Sequence, residues 1–260
     1  MSEPSVVATR LSYSVGDVSL LARASIAAYP GQLVVLIGPN GAGKSTMLNL
    51  LAGNLRPTGG TTTLNGVDAS TAVPSELATI RSFLTQRARI DLPYSTRQVV
   101  EIGRFPHRRN PNNTRAHDQA VVADAMARTE TSWLAGRTYS TLSSGEQTLV
   151  SLARVLAQDT PIVFLDEPTT ALDVAHQERS MRLVRRMAHE GRTVLAVLHD
   201  LNAAAAYADQ VVLMGDGRVV ETGRPGQVLT ALLLSEVYGH PLMVVDHPTR
   251  DCPLVLPGDT

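Results

Sequence analysis

Short runs of apolar residues, many of them β-branched, recur along the chain and predict strands that are buried on both faces of a sheet. Leu33–Ile37 is one such run, and residues 161–165 and 193–198 form two more. Continuous apolar strands of this kind are typical of parallel sheets that helices cover on both sides. Stretches with the composition of helices follow these strands, at about residues 46–55, 175–190 and 202–207. The alternation predicts an α/β domain built on a parallel sheet.

Other segments alternate apolar and polar residues and predict strands with one exposed face. Residues 6–13, 18–28 and 61–64 have this pattern, so we expect an antiparallel β region at the N-terminus, around the first buried strand. Residues 210–214 and 218–221 predict a hairpin, because a Gly-Asp-Gly turn sequence joins them.

The middle of the chain, about residues 91–136, is predicted to be a helical insertion. Ser95 and Gln98 have the spacing of a capping box, which opens a helix. A second helix is expected at about residues 114–129. The tail from His240 contains four prolines and is expected to be extended and docked on the surface.

Composition narrows the class of protein. The chain has 260 residues, which fits one large domain or a domain with a subdomain, and 43% of them are hydrophobic, enough for a full core. Its net charge of −1 gives no electrostatic reason to expect nucleic acid as a partner. The single cysteine, Cys252, excludes an intramolecular disulfide and fits a reducing compartment.

Membrane and export signals are not found in the sequence. No stretch approaches the roughly 18 consecutive apolar residues of a membrane-spanning helix, and the first residues do not have the basic-then-apolar plan of a signal peptide. We therefore expect a cytosolic chain, which would serve any membrane process from the cytoplasmic face through a partner.

The eight residues after the first buried strand fit the pattern of the phosphate-binding loop, G-x-x-x-x-G-K-[ST]. In such a loop, backbone N–H groups and a helix N-terminus face an anion, and glycines let the backbone approach a phosphate closely. Lys44 is expected to reach the β- and γ-phosphates, and the Ser45 hydroxyl to bind Mg²⁺. With Thr46, which follows them, the predicted nucleotide-binding residues of this loop are Gly38, Pro39, Asn40, Gly41, Ala42, Gly43, Lys44 and Ser45.

Two carboxylates, Asp166 and Glu167, directly follow the apolar run at residues 161–165. An acid at the end of such a strand can hold Mg²⁺ through water, which is the role predicted for Asp166. Glu167 is placed to polarise a water molecule in line with the γ-phosphate.

A second anion-binding sequence, residues 142–147, stands about twenty residues before the acidic strand. Ser143 and the N–H groups of Ser144 and Gly145 come at the start of a predicted helix, where partial positive charge attracts anions. Together with Glu146, which follows them, these residues are predicted to form a second anion-binding site; the family resemblance described next implies that the anion is a nucleotide.

With these motifs in place, the chain resembles the ATP-binding subunit of ABC transporters from Tyr13 to about Gly223. Residues 142–147 are similar to the family signature L-S-G-G-Q. The resemblance implies a P-loop ATPase fold with a RecA-like parallel core, an N-terminal antiparallel β region and a helical subdomain at about 88–150. Residues 224–260 would be a short C-terminal extension of this single domain.

The resemblance also implies roles for four further residues. Gln86 matches the glutamine that contacts Mg²⁺ or water before the helical subdomain, and His199 matches the switch histidine at the γ-phosphate. Asp173 matches the D-loop, which crosses the dimer interface. Tyr13 matches the aromatic residue that stacks on adenine. The predicted catalytic residues are thus Glu167, His199, Gln86 and Lys44, and the predicted Mg²⁺ ligands are Ser45, Gln86 and Asp166.

The implied reaction is hydrolysis of ATP to ADP and phosphate. In the family, two copies dimerise head to tail, so Ser143 and Gly145 would touch the ATP bound to the second copy. Closure of the dimer then completes the site. Two departures from the family pattern bear on this interface: Ser144 replaces the usual second glycine, and Thr148-Leu149 stand where many members have Gln-Arg.

The segment at residues 103–107 resembles the G-R-x-P-H stretch of importers for iron–siderophores, heme and cobalamin. Residues 152–158, 171–177 and 247–257 are most similar to the hemin-import ATP-binding proteins of that group. Ferric siderophore and cobalamin remain the alternative cargoes. No heme ligand is expected in this chain itself.

The resemblance implies two transmembrane permease subunits as partners, contacted through the helical subdomain, and a second copy of this chain. A periplasmic substrate-binding protein would act indirectly, and the location would be the cytoplasmic face of a bacterial inner membrane. A soluble ABC ATPase of DNA repair or translation is disfavoured, because the chain contains neither heptads nor a second ATPase unit. An exporter subunit is a nearer alternative. A module that binds but does not hydrolyse ATP is disfavoured by Glu167 and His199.

Overall fold

The computed structural model describes residues 3–85, 93–109 and 111–259. In these ranges the strands are β1 (Val6–Val15), β2 (Val18–Ala28), β3 (Leu33–Ile37), β4 (Gly59–Leu64), β5 (Val67–Asp68), β6 (Arg81–Leu84), β7 (Ile162–Asp166), β8 (Thr193–Val197), β9 (Gln210–Gly215), β10 (Arg218–Gly223), β11 (Leu242–Asp246) and β12 (Pro253–Pro257). The α-helices are α1 (Lys44–Leu51), α2 (Pro74–Ile80), α3 (Thr96–Glu101), α4 (Arg115–Arg128), α5 (Ser144–Gln158), α6 (Val174–His189), α7 (Leu201–Tyr207), α8 (Pro225–Val228) and α9 (Ala231–Tyr238). Short 3₁₀ helices cover Ile102–Arg109, Ser132–Leu134 and Tyr139–Thr141.

A six-stranded sheet with the order β10-β9-β3-β8-β7-β6 forms the centre of the molecule. All its neighbouring strands run parallel except the β9–β10 hairpin at one edge. A separate antiparallel sheet has the order β2-β1-β4-β5. The predicted α/β fold with a parallel core and an N-terminal antiparallel region is therefore confirmed.

Alternate residues of the central strands enter two different cores. On β3, Leu33, Val35 and Ile37 belong to the core beneath the helices α5, α6 and α7, whereas Val34 and Leu36 belong to the core shared with α1 and the antiparallel sheet. These five side chains are fully buried. Because both faces of each central strand are covered, the sequence there is a continuous apolar run, as the parallel sheet requires.

The helices α3 and α4, which follow β6, pack on α5. The predicted capping box at α3 is present: the Ser95 hydroxyl accepts from the backbone N–H of Gln98, and the Gln98 side chain accepts from the N–H of Ser95. The predicted second helix is α4, which begins after Thr114 and ends at Arg128. Each of these helices therefore begins close to the residue that its sequence signal indicated.

The tail after residue 240 is extended and docked, as expected, and its two extended segments also pair with each other. It folds into an antiparallel hairpin of β11 and β12, in which Val244 lies opposite Val255. Val255 is only 7% exposed and packs against the main core, so the hairpin is docked on the domain. Prolines at the ends of a two-stranded ribbon cost no ladder bond when their missing N–H would face solvent, which is why the pattern permits this fold.

Among the residues that the structure describes, none of the helices has the length and apolar character needed to cross a membrane.

Candidate nucleotide-binding site

The phosphate-binding loop connects β3 to α1, as the sequence predicts. Gly38, Gly41 and Gly43 all have positive φ, at 146°, 83° and 89°. A Cβ added to Gly38 would stand 2.1 Å from the Met214 carbonyl oxygen, so only glycine fits there. A Cβ on Gly41 would meet nothing within 4 Å, so this side of the loop faces open space. The loop is therefore a backbone cradle whose open side can admit a phosphate group.

The Lys44 ammonium lies folded across this cradle. Its Nζ donates to the carbonyl oxygens of Gly38 at 2.7 Å and Pro39 at 2.8 Å, and the residue is 6% exposed. Burial lowers the pKa of Lys44, while the nearby carboxylates Glu167 and Asp166 act in the opposite direction. A buried cation held only by carbonyl oxygens is well placed to exchange them for the charged oxygens of a nucleotide.

Ser45 and Asp166 meet across the gap between α1 and β7. The Ser45 hydroxyl donates to Asp166 Oδ1 at 2.9 Å, although the two residues are 121 positions apart. Burial, with a smaller contribution from the charge of Glu167, raises the pKa of Asp166. A hydroxyl and a carboxylate beside a phosphate cradle fit Mg²⁺, which takes one or two protein groups and completes its shell with phosphates and water. Among the described residues, no cluster of three or more His, Cys, Asp or Glu side chains offers another metal site.

Glu167 and His199 follow neighbouring strands and their side chains touch. The His199 Nε2 lies 2.5 Å from Glu167 Oε1, because β7 and β8 are paired in a register that sets Asp166 beside Val197. Glu167 itself has a φ of 53°, a left-handed conformation that is uncommon for a residue with a side chain and that clusters at functional sites. The turn brings the carboxylate against His199.

Thr170 is a contact of Glu167 that the sequence motifs did not single out. Its hydroxyl donates to Glu167 Oε2 at 3.0 Å, so the two carboxylate oxygens have different partners. The signal that could have found it is its place three residues after Glu167, on a turn that brings its hydroxyl back to the carboxylate.

The residues of the signature, 143–146, begin α5. The Ser143 hydroxyl accepts from the N–H of Glu146 at 3.2 Å, and Glu146 Oε2 accepts from the N–H of Ser143 at 2.8 Å. These hydrogen bonds hold the pKa of Glu146 below its ordinary value. A Cβ on Gly145 would stand 3.1 Å from the Ala171 carbonyl oxygen. The signature therefore packs against the segment that precedes Asp173.

The two departures from the family pattern are accommodated locally. Ser144 is exposed, and its carbonyl oxygen accepts from the Thr148 hydroxyl at 2.9 Å.

Asp173 caps the next helix, α6, by accepting from the backbone N–H and the Nδ1 of His176 at 2.8 and 2.9 Å. Val174, which follows it, is 82% exposed, so this turn presents a polar and an apolar side chain to solvent.

Two further predicted site residues are less defined by the geometry. Tyr13 lies on β1 opposite Leu21 and is half-buried against the core shared with the antiparallel sheet. Its predicted stacking on adenine stays a prediction. Gln86 lies outside the described residues.

The segment at residues 103–107 is held mainly by internal contacts. A Cβ on Gly103 would stand 2.4 Å from the Arg154 carbonyl oxygen, so glycine permits the close packing on α5. Arg104 is 4% exposed and donates to Asp118 at 2.7 Å. The His107 Nε2 lies 2.7 Å from the Gln158 carbonyl oxygen. Phe105, in contrast, is 67% exposed, which makes it the residue of this segment that is most available to a partner.

The family model described as "ABC transporter" matches residues 21–170 of the chain. Curated relatives include the hemin import ATP-binding protein HmuV of Nocardia farcinica, which is 48% identical over 92% of this chain and 82% of the relative. The protein of the same name from Deinococcus radiodurans is 39% identical and covers 98% of both chains.

Solved structures have the same fold. A metal-chelate type ABC transporter in an inward-facing conformation superimposes with a TM-score of 0.84, at 24% identity, over 99% of this chain and 98% of that one. A dimeric ATP-binding cassette in a post-hydrolysis state, bound to ADP and phosphate, has a TM-score of 0.75 at 26% identity, over 85% and 98%. The phosphate-binding loop, the strand β7 with the acids Asp166 and Glu167 at its end, and these similarities to known proteins agree. The chain belongs to the ABC transporter family, as one of its ATP-binding, ATP-hydrolysing subunits.

Proposed function

We propose that this chain is the ATP-hydrolysing subunit of an importer that moves heme across the cytoplasmic membrane. The observation that supports heme as the cargo is the similarity to hemin import ATP-binding proteins, at 38–48% identity over most of the chain. The contact between Glu167 and His199 beside the phosphate cradle supports the hydrolytic role.

In the proposed reaction, Lys44 leaves the carbonyl oxygens of Gly38 and Pro39 and binds the β- and γ-phosphate oxygens. Ser45 and Asp166 would hold Mg²⁺, with Gln86 as a further ligand from outside the described residues. When bound, Mg²⁺ supplies positive charge that neutralises the phosphate oxygens. The loop's N–H groups add fixed partial charges that need no reorganisation during the reaction.

Glu167 is the proposed base that orients the attacking water and accepts its proton. His199, which now touches the same carboxylate, would hold the γ-phosphate side of the site. The carboxylate keeps its orientation through the Thr170 hydroxyl, so His199 can turn toward the phosphate without releasing Glu167 from its place.

A second copy of the chain would complete each site. The support is the exposed position of Ser144 at the start of α5 and of Asp173 and Val174 at the start of α6, together with the dimeric state of a related cassette. In this arrangement Ser143 and Gly145, with Glu146 behind them, bind the ATP held by the other copy. Closure of the dimer would then be driven by ATP and reversed by hydrolysis.

The permease would contact the helices between β6 and β7. Ile102 and Phe105 are large apolar side chains that are 42% and 67% exposed, and they lie beside the segment that resembles importer sequences. The proposed location is therefore the cytoplasmic face of the membrane, with the chain attached through two permease subunits. Residues 88–150 would form the subdomain that receives them, and residues 224–260 a C-terminal extension.

The test is transport by the assembled importer. The chain is purified with the permease encoded beside it, both are reconstituted in liposomes, and ATP-dependent movement of heme, a ferric siderophore and cobalamin is measured. We expect heme to move, and Glu167→Gln to stop it. Movement of only another cargo would overturn the heme assignment and keep the motor. ATP hydrolysis with no copurifying permease would contradict the importer role.

A further inference from the structure

The hairpin β11–β12 is attached to the helix that follows the switch histidine. Asn202 lies in the first turn of α7, three residues after His199. Its side chain donates from Nδ2 to the Val255 carbonyl oxygen at 3.2 Å and accepts at Oδ1 from the Val255 N–H at 2.8 Å. The amide thus satisfies both backbone groups of one residue of β12, as a neighbouring strand would.

The other side of the His199 segment is also fixed. The N–H of Leu198 donates to the Leu36 carbonyl oxygen at 3.2 Å, which continues the β3–β8 pairing. Asp200 caps α7 by accepting from the N–H groups of Asn202 and Ala203 at 2.8 and 3.1 Å. His199 therefore lies between the end of β8 and a capped helix.

The hairpin is in turn fastened to the root of the phosphate cradle. The Ser235 hydroxyl, on α9, accepts from the N–H of Leu242 on β11 at 2.8 Å. On the same helix, the buried Tyr238 side chain lies close to the backbone of Gly38. Contacts consequently lead from Gly38 through α9 to the hairpin, and hydrogen bonds lead from α9 through the hairpin to Asn202.

We infer that the C-terminal hairpin positions the switch histidine, with Asn202 as the positioning residue through which it acts. Residues 231–258 would then connect the cradle that binds the phosphates to the segment that senses the γ-phosphate. The Asn202 amide makes two direct hydrogen bonds to the backbone of Val255, whose side chain is buried. This combination fixes which residue of β12 lies beside Asn202. The inference rests on the proposed hydrolytic function of His199.

The test compares three variants of the full chain, each purified with its permease. Asn202→Ala removes the attachment at α7, and Ser235→Ala removes the link between α9 and β11. Arg250→Ala is the matched control at the tip of the same hairpin: Arg250 binds Glu178 at 2.8 Å and lies over the ring of Tyr207, at the opposite end of α7 from Asn202.

We expect Asn202→Ala to lower kcat roughly five-fold and Ser235→Ala about two-fold, with KM for ATP within about two-fold of wild type, because the binding cradle is unchanged. The double variant should be no slower than Asn202→Ala alone, since both changes break one path. Amide exchange in residues 198–203 should be faster in Asn202→Ala and not in Arg250→Ala.

An unchanged kcat in Asn202→Ala would overturn the inference, as would an equal loss in Arg250→Ala, which would show a general effect of loosening the hairpin. These outcomes are distinct from failure of the proposed function, in which the wild-type complex itself would not hydrolyse ATP.

Discussion

Glu167→Gln changes the chemistry of the site while leaving its geometry in place. The glutamine amide has the shape of the carboxylate, so its oxygen can accept from the Thr170 hydroxyl, as Oε2 does now at 3.0 Å. Its NH₂ can donate to Nε2 of the other His199 tautomer, at the place where Oε1 now lies 2.5 Å from Nε2. What is lost is the negative charge and the ability to accept a proton from water. Lys44, which would bind the nucleotide, donates to the carbonyl oxygens of Gly38 and Pro39, and these bonds do not depend on the charge of residue 167.

The expected loss of hydrolysis rate follows because the proposed base and the groups that bind ATP are different residues. Loss of a general base costs about 10² to 10⁴ in rate, and the retained orientation of the neighbouring groups places this variant near 10² to 10³. At about 1.4 kcal/mol for each tenfold change, the barrier rises by roughly 3–4 kcal/mol. ATP affinity should stay within about three-fold of wild type, because the binding groups are untouched. ATP that binds and is not hydrolysed should hold the dimer closed.

The assay is phosphate release at saturating ATP by the chain in complex with its permease, with nucleotide affinity measured separately by titration. Size-exclusion chromatography of the isolated variant with Mg²⁺-ATP should show a dimer. Glu190→Gln is the matched control, because Glu190 is paired with Arg128 at 2.9 Å near the end of α6 and should not affect turnover. A Glu167→Gln variant that keeps more than a tenth of the wild-type kcat would refute the assignment of the base.

Three further predictions concern binding and stability. Lys44→Ala should weaken ATP binding about ten- to hundred-fold, the size expected for charged hydrogen bonds to phosphate, and a titration with a fluorescent ATP analogue that shows unchanged affinity would contradict the role of Lys44. Phe164, which is fully buried and stacks on Phe83 with 6.3 Å between ring centroids, should cost about 3–5 kcal/mol when changed to alanine and lower Tm by roughly 10 °C. Phe105→Ala, at an exposed ring, should change the free energy of unfolding by less than about 0.5 kcal/mol, so equal losses in the two phenylalanine variants would show that the burial argument is wrong. Burial raises the pKa of Tyr238 to about 12, so the folded state holds this proton more tightly than the unfolded chain. The wild type should therefore lose about 2–3 kcal/mol of stability relative to Tyr238→Phe as the pH rises from about 10 to 12. Urea-denaturation profiles that stay parallel for the two proteins over that range would contradict this prediction.

The segment at residues 103–107 shows how one motif can contain two kinds of information. Gly103, Arg104 and His107 are fixed by contacts with α5 and its end, and Arg104 pairs with Asp118 while nearly buried. These residues explain why the helical region folds as it does. Phe105, in contrast, is exposed. The similarity of this motif to importer sequences is thus partly a matter of stability, and under the proposed function Phe105 is the residue that can contact the permease.

Local patterns in the sequence determined the elements that carry the chemistry. The apolar run Leu33–Ile37, the glycines after it and Lys44 specify a strand, a turn and a helix start by short-range physics alone, because backbone conformation and capping depend on near neighbours. The same is true of the capping box at Ser143 and Glu146, which the structure contains with both of its hydrogen bonds. The fold class followed from the alternation of these elements.

Tertiary structure decided which of these elements meet. Ser45 touches Asp166 from 121 residues away, and His199 touches Glu167 from 32 residues away, only because strand order and register set β3, β8 and β7 side by side. No local pattern contains that register. The attachment of Asn202 to β12 is of the same kind: the sequence shows a polar residue early in a helix and a proline-rich tail, and the contact exists because the folded core leaves the hairpin one surface on which Val255 can be buried.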